Sequence, residues 1–186
     1  MTADPPLDAG ALAPWLDGIG AVLRGERSAD VDCTGCTACC ASSQFVHVEP
    51  DEADALAAVP VALHFPAPGG PRGHVVVPYD ETGRCPLLGA DGCTVYAARP
   101  RTCRTYDCRV FTAAGIEPRA ESQVAIAART ARWRFDERSA EDHRARRALA
   151  AARAEVSARP DVGEVPPLAC ALAVVRLAAA RFHEGH

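Results

Sequence analysis

Apolar residues recur at helical spacing at both ends of the chain and lose that rhythm in the middle. Leu12, Leu16, Ile19 and Leu23 fall on one face of a 3.6-residue helix. Residues 7–24 are therefore expected to be helical, with Pro14 marking where the regular part begins, close to the first-turn position that tolerates proline. After Pro118 three further stripes follow. The first joins Val124, Ala128, Ala131 and Phe135, the second Ala145, Leu149, Ala152 and Val156, and the third Leu168, Leu172, Val175, Ala179 and Phe182. Ser139 with Asp142 three residues on opens the second stripe as a capping pair, and the run Pro160 to Pro167 breaks the chain before the third. Alanine dominates these stripes, so they read as slim helices packing on one another.

Between Cys33 and about Thr112 the texture changes. Gln44–Val48 alternates as a strand does, Asp51–Ala58 has room for one or two helical turns, and Gly73–Val77 is a buried strand ahead of Pro78. Pro66, Pro68, Gly69, Gly70 and Pro71 mark a loop, while Asp80–Gly83 and Gly89–Gly92 read as turns. The expected fold class is α+β. A loop-rich segment with short strands, residues 31–115, is flanked by an N-terminal helical arm, residues 1–30, and by a C-terminal helical extension packed on it, residues 116–186.

Composition narrows the function. At 48% apolar and 24% charged residues the chain is neither disordered nor collagen-like. All 20 residues counted as Lys+Arg are arginine, so no lysine amine is present to form a Schiff base. A net charge of −4 gives no global field that favours nucleic acid, although arginines crowd between Arg99 and Arg109 and between Arg129 and Arg153. The most apolar stretch, Leu168–Phe182, is too short for a bilayer and is interrupted by Arg176, which argues against a membrane role. The first eight residues carry no basic residue and no apolar run, so the expected location is the cytoplasm. No G-x-G-x-x-G, P-loop or G-x-S-x-G motif occurs.

What remains is an unusual number of cysteines, nine in 186 residues. In a reducing compartment they are thiols or metal-bound thiolates rather than disulfides, and the vicinal pair Cys39-Cys40 is poorly placed to bridge itself. Cys33-Thr-Gly-Cys36-Thr-Ala-Cys39-Cys40 is a C-x2-C-x2-C-C array. Its two-residue gaps let a turn aim successive thiolates at one centre. Three cysteines so spaced also form the local part of a cubane iron–sulfur site, whose fourth thiolate comes from a distant position. Cys85, Cys93, Cys103 and Cys108 supply distant thiols but no second C-x2-C knuckle, as paired zinc sites usually have. The spacing tilts toward a [4Fe–4S] cluster held by Cys33, Cys36, Cys39 and one of the distal set. Zinc is the alternative, since eight thiolates also suffice for two tetrahedral sites.

These residues carry a resemblance. The array 33–40, then Gly83-Arg-Cys85-Pro-Leu, then Gly92-Cys93-Thr-Val-Tyr96-x-x-Arg99-Pro100-x-x-Cys103-Arg104-x-Tyr106-x-Cys108, resembles the CxxCxxCC cysteine-cluster family of YkgJ-like zinc- or iron-chelating domains. All eight family cysteines are present, and Thr37 stands where the family usually has glycine. The resemblance implies a metal or an iron–sulfur cluster. One branch resembles flagellin lysine N-methylases, which adds cluster-dependent methyl transfer to the possible activities beside electron transfer, substrate activation and a non-catalytic zinc-stabilised interaction module. A redox partner or a protein substrate is the implied partner.

A thiolate centre needs its negative charge offset. Arg99 and Arg104 are expected to donate hydrogen bonds to sulfur or to nearby carbonyls, with solvated pairs to Asp91 or Asp107 as the plainer role for the arginines of this turn. Tyr96 and Tyr106 are expected to pack, their hydroxyls anchoring loops. His47 and His74 lie on expected strands near the cysteines and are given ordinary roles; Cys170, on the third helical stretch, is read as a small core residue.

Overall fold

The chain was analysed as a computed structural model that describes residues 4–31, 33, 35–118 and 121–184; Met1–Ala3, part of the stretch read for a leader, lie outside them. It is mixed α+β and divides into two compact units. The first unit takes residues 1–26, 107–120 and 127–186, and the second residues 27–106 and 121–126.

The first unit is built on helices. Strand β1 (Leu7–Ala11) leads directly into α1 (Leu12–Leu23), so the stretch expected to be wholly helical is strand for its first five residues. The reason lies far away in sequence, because β1 pairs in parallel with β7 (Trp133–Asp136). Pro14 sits inside the first turn of α1, where its missing N–H is no loss. Three more helices complete the layer: α4 (Arg109–Ala114), α6 (Ala140–Ser157) and α7 (Pro167–Glu184). Leu16, Ile19, Phe111, Leu149, Val174, Val175 and Phe182 are all at most 5% exposed and form its interior. Asp142 joins two helix starts. Its carboxylate accepts from the Ser139 backbone and hydroxyl to close a capping box on α6, and also accepts from Ala13 N at 2.9 Å in the first turn of α1.

The first C-terminal stripe departs from expectation. α5 (Val124–Thr130) is only seven residues long, and Val124, Ala128 and Ala131 are exposed while Ile126 and Thr130 are buried. From Trp133 the chain is extended, and period-two alternation buries Trp133 and exposes Arg134. Pairing with β1 overrides the helical preference of this stretch.

The second unit has little regular structure. Strands β2 (Val46–Val48), β3 (Phe65–Pro66) and β4 (Val75–Val77) form an antiparallel sheet in the order β2-β4-β3, and β5 (Leu88–Gly89) pairs with β6 (Gly92–Cys93) in a tight hairpin. Two short helices, α2 (Ala53–Ala58) and α3 (Arg101–Thr105), accompany them. The core is small: Val46, Val59, Val77, Leu87 and Val95, with Ala58, Leu63, Cys85, Cys93 and Cys103 packed against it. No helix among the described residues is long and apolar enough to cross a membrane.

Candidate metal centre

Seven of the eight array cysteines belong to the second unit, and Cys108 belongs to the first. All eight are partly buried. The C-x2-C-x2-C-C loop is a chain of turns. Cys36 N donates to Cys33 O at 3.0 Å across Gly35, whose φ of +68° suits glycine. A single 3-10 turn spans Cys39–Ala41. Cys85 is drawn beside this loop by its backbone N–H, which donates to Cys40 O at 2.7 Å.

The turn that delivers Cys85 is shaped by Asp80. Its Oδ1 accepts from Thr82 N, Thr82 Oγ1 and Arg84 N, and these bonds hold the carboxyl below the usual range, Arg84 N first. Gly83, at φ +79°, lies so close to Ser43 that an added Cβ would come within 2.5 Å of its hydroxyl oxygen. Ser43 N in turn donates to Gly83 O at 2.9 Å, so the end of the array and the turn before Cys85 are locked together. Cys93 is placed by the β5–β6 hairpin opposite Leu88, whose N–H donates to Cys85 O.

Cys103 rides on α3, and the first turn of α3 is held by a buried carboxylate that the sequence pattern did not single out. Glu52 is 8% exposed, accepts from Arg101 N and Glu49 N, and lies 3.6 Å from the Arg104 guanidinium. Nothing in its local sequence separates Glu52 from its solvated acidic neighbours Asp51 and Asp54. Only the long-range approach of α3 buries it.

Four thiols fall within electrostatic reach of one another. Cys103 is pushed up to about 12, first by burial and then by the charges of Cys39, Cys85 and Cys93, with Arg99 acting in the opposite direction. Cys85 is raised by burial, then by Cys93, Cys39 and Asp80. Cys39 is raised most strongly by its hydrogen bond with the Cys40 thiol and then by burial. Among the described residues no three His, Cys, Asp or Glu side chains are already gathered as a finished metal cage. The sulfurs are grouped by the fold without being closed on a point.

The arginines donate to carbonyls. Arg99 Nε donates to Tyr96 O at 3.0 Å with its guanidinium 3.7 Å from the centre of the Tyr96 ring, and Arg104 Nε donates to Arg99 O at 2.9 Å. Tyr96 is 43% exposed and serves as this cation's platform; Tyr106 closes α3 at its C-terminal end. Arg101 pairs with Asp51 and Arg109 with Asp107. His47 Nδ1, on β2, and His74 Nε2, just ahead of β4, meet at 3.1 Å, with Glu49 3.8 Å from His74. Cys170 is buried on α7, its sulfur facing the carbonyls of Val162 and Val165.

In the first unit Cys108 is fixed on both sides. Asp107 and Arg109 form a buried ion pair, and Arg109 also donates to Ala9 O. The indole N–H of Trp133 donates to Cys108 Sγ. This sulfur-directed donor is a tryptophan 25 residues away, where the sequence pattern points to the nearby arginines.

The family model of CxxCxxCC, described as a putative zinc- or iron-chelating domain, matches residues 32–124, half of the chain. No curated protein and no solved structure gives a significant match.

Proposed function

The chain belongs to the CxxCxxCC family, and from that premise we propose that it is a metal-binding protein whose centre is held by Cys39, Cys85, Cys93 and Cys103 and carries an iron–sulfur cluster. The observation that carries the reading is the grouping of these thiols: Cys85, Cys93 and Cys103 pack against one small apolar core, and Cys39 acts electrostatically on Cys85 and Cys103. Burial opposes ionisation of Cys39, Cys85 and Cys103, and a soft cation is what reverses that cost. An all-thiolate donor set suits iron–sulfur clusters and zinc and does not suit magnesium or calcium.

This set shares only Cys39 with the run of three that the spacing suggests. Cys33, Cys36 and Cys40 stay beside it as further donors of the same unit, and Cys108 keeps its place as a ligand from the family pattern. When bound, the cluster would supply one-electron chemistry for a redox partner. The protein's part is to hold the sulfurs. Glu52 fixes the start of α3, the Asp80 turn presents Cys85, and Arg99 sets a positive charge near Cys103. Thiolates that must stay reduced until they bind metal favour the cytoplasm.

A zinc-stabilised interaction module is the second reading, and a specific observation favours it. The residues Cys85, Cys93 and Cys103 come from separate segments and pack against one cluster of five buried apolar side chains, an arrangement that suits a structural staple. Protein isolated without oxygen and analysed for iron, zinc and acid-labile sulfide separates the two. Iron with matching sulfide and broad visible absorption supports the cluster, while stoichiometric zinc without sulfide assigns the staple. Protein that holds neither iron nor zinc when isolated in this way would sink both.

A further inference from the structure

Trp15 and Trp133, the only two tryptophans of the chain, aim their indole N–H groups at consecutive residues. Trp15 Nε1 donates to Asp107 Oδ2 at 2.9 Å, and Trp133 Nε1 donates to Cys108 Sγ at 3.2 Å. An indole nitrogen can only donate, and a buried one needs an acceptor. Sulfur is a weak acceptor as a thiol and a far better one as a thiolate.

The environment of Trp133 is built to hold that bond. The side chain is 4% exposed, and its backbone is set by the pairing of Trp133 with Leu7. The Arg129 guanidinium lies 4.9 Å from the ring centre. A cation over the ring face draws electron density from the indole and makes its N–H a stronger donor. On either side of the sulfur the backbone is already fixed. Asp107 accepts from Trp15 and from Arg109, whose Nε and Nη2 approach its carboxylate at 3.0 and 2.8 Å.

We infer that Trp133 is a positioning residue for the Cys108 sulfur, its N–H fixing the direction of Sγ and taking up part of the thiolate charge when Cys108 holds a metal. The inference rests on Cys108 being one of the array's ligands. Removing a group that orients a metal ligand commonly costs about 10- to 100-fold in metal affinity. A neutral N–H on sulfur belongs at the lower end of that range.

Trp133→Phe keeps an aromatic ring under Arg129 and deletes only the donor. The full-length protein is loaded with Co(II) to read the energy of thiolate-to-cobalt charge transfer, and separately with Zn(II) to time its release to a chelator. Losing the N–H raises the energy of the sulfur lone pairs, so the charge-transfer band moves to longer wavelength and zinc leaves about tenfold faster. Ser139→Ala is the control, because it opens the cap of α6 and removes no bond to Cys108 or Trp133. It lowers the melting temperature and leaves band and release rate unchanged. If Trp133→Phe also leaves both unchanged while Cys108→Ser reduces the charge-transfer intensity, Cys108 is a ligand but Trp133 only packs, and the inference is wrong. If Cys108→Ser alters neither metal content nor intensity, Cys108 is no ligand and the inference falls with it, while the four-thiol reading of the second unit stands.

Discussion

The two units reach stability by different routes. In the first, α6 and α7 bury whole faces and α1 and α4 add the side chains of Leu12, Leu16, Ile19 and Phe111. Burial on that scale is the ordinary driving force of folding. The second unit offers one core cluster of five apolar side chains, with Val48, Ala55 and Ile126 buried outside it, strands of two or three residues, and cysteines where further core residues would stand. A segment with so small a core needs another source of stability. Thiols pressed against that core are the available one, provided that a cation draws them together. The difference teaches that bound metal would add more to the stability of the second unit than to that of the helical first.

The largest expected effect follows from that contrast. Cys85→Ser or Cys103→Ser removes a thiolate from the grouped four and replaces it with a hydroxyl that binds soft metals poorly. Metal content falls to a small fraction of wild type, and amide exchange across residues 46–104 becomes fast while the amides of α6 and α7 stay protected. Hydrogen-exchange mass spectrometry on the full chain reads both regions at once. Loss of protection throughout α6 and α7 would mean that the units do not fold separately.

Phe111→Ala tests the opposite side. Phe111 is 1% exposed, and truncating a buried phenylalanine costs about 3–5 kcal/mol. Thermal unfolding of the helical signal shifts down strongly, yet metal per chain stays at the wild-type value. A parallel loss of metal would remove the distinction between the units.

Alkaline pH sharpens the comparison in the metal-free protein. Cys103 titrates at about 12 in the folded chain against 9.0 ordinarily, and Cys85 and Cys39 are shifted in the same direction. Below pH 9 both folded and unfolded chains keep these protons, and stability is unaffected. Between about 9 and 12 the unfolded chain releases them while the folded one holds on, so stability falls as pH rises, by about 1.4 kcal/mol per pH unit for each thiol involved. Denaturant titrations at pH 8 and 10 measure the slope. With metal bound the thiolates are already formed and the slope disappears, and affinity itself rises with pH because binding releases protons.

How much of this was legible depends on the range of the interaction responsible. The capping pair Ser139–Asp142, the strand at 75–77, the short helix after Asp51 and the breaker before α7 all rest on neighbours a few residues apart, and each is present. β1 and β7 were hidden because each needs a partner more than 120 residues away. The array was legible as chemistry, since its spacing names the cysteines. Their grouping was not, because Cys85, Cys93 and Cys103 pack on a core whose members are scattered from Val46 to Val95, and the array loop reaches Cys85 through the bond from Cys85 N to Cys40 O. Glu52 and Trp133 share that difficulty, since each acquires its role only when a distant helix or sulfur arrives.

The smallest effect is expected at Ser139. Its Oγ accepts from Asp142 N at 3.0 Å and donates to Asp142 Oδ2, while the Ser139 backbone N–H donates to the same carboxylate. Those bonds, the hydroxyl first and then Ala13 N, hold the Asp142 carboxyl below its usual range. Ser139→Ala removes the hydroxyl but leaves the carboxylate bound to Ala13 N and to the backbone at 139, so only one end of the box opens. Loss of such a cap costs about 1 kcal/mol, which for a chain of this length lowers the melting temperature by about 2–4 °C. Asp142→Ala also frees Ala13 N at the start of α1 and costs more than the serine variant. The bonds lost end on Ser139, Asp142 and Ala13 and none on Cys108 or Trp133, so metal content and the charge-transfer spectrum of cobalt-loaded protein stay at wild-type values. A shift in either spectrum or stoichiometry with so slight a loss of stability would show that helix packing in the first unit controls the thiolate centre.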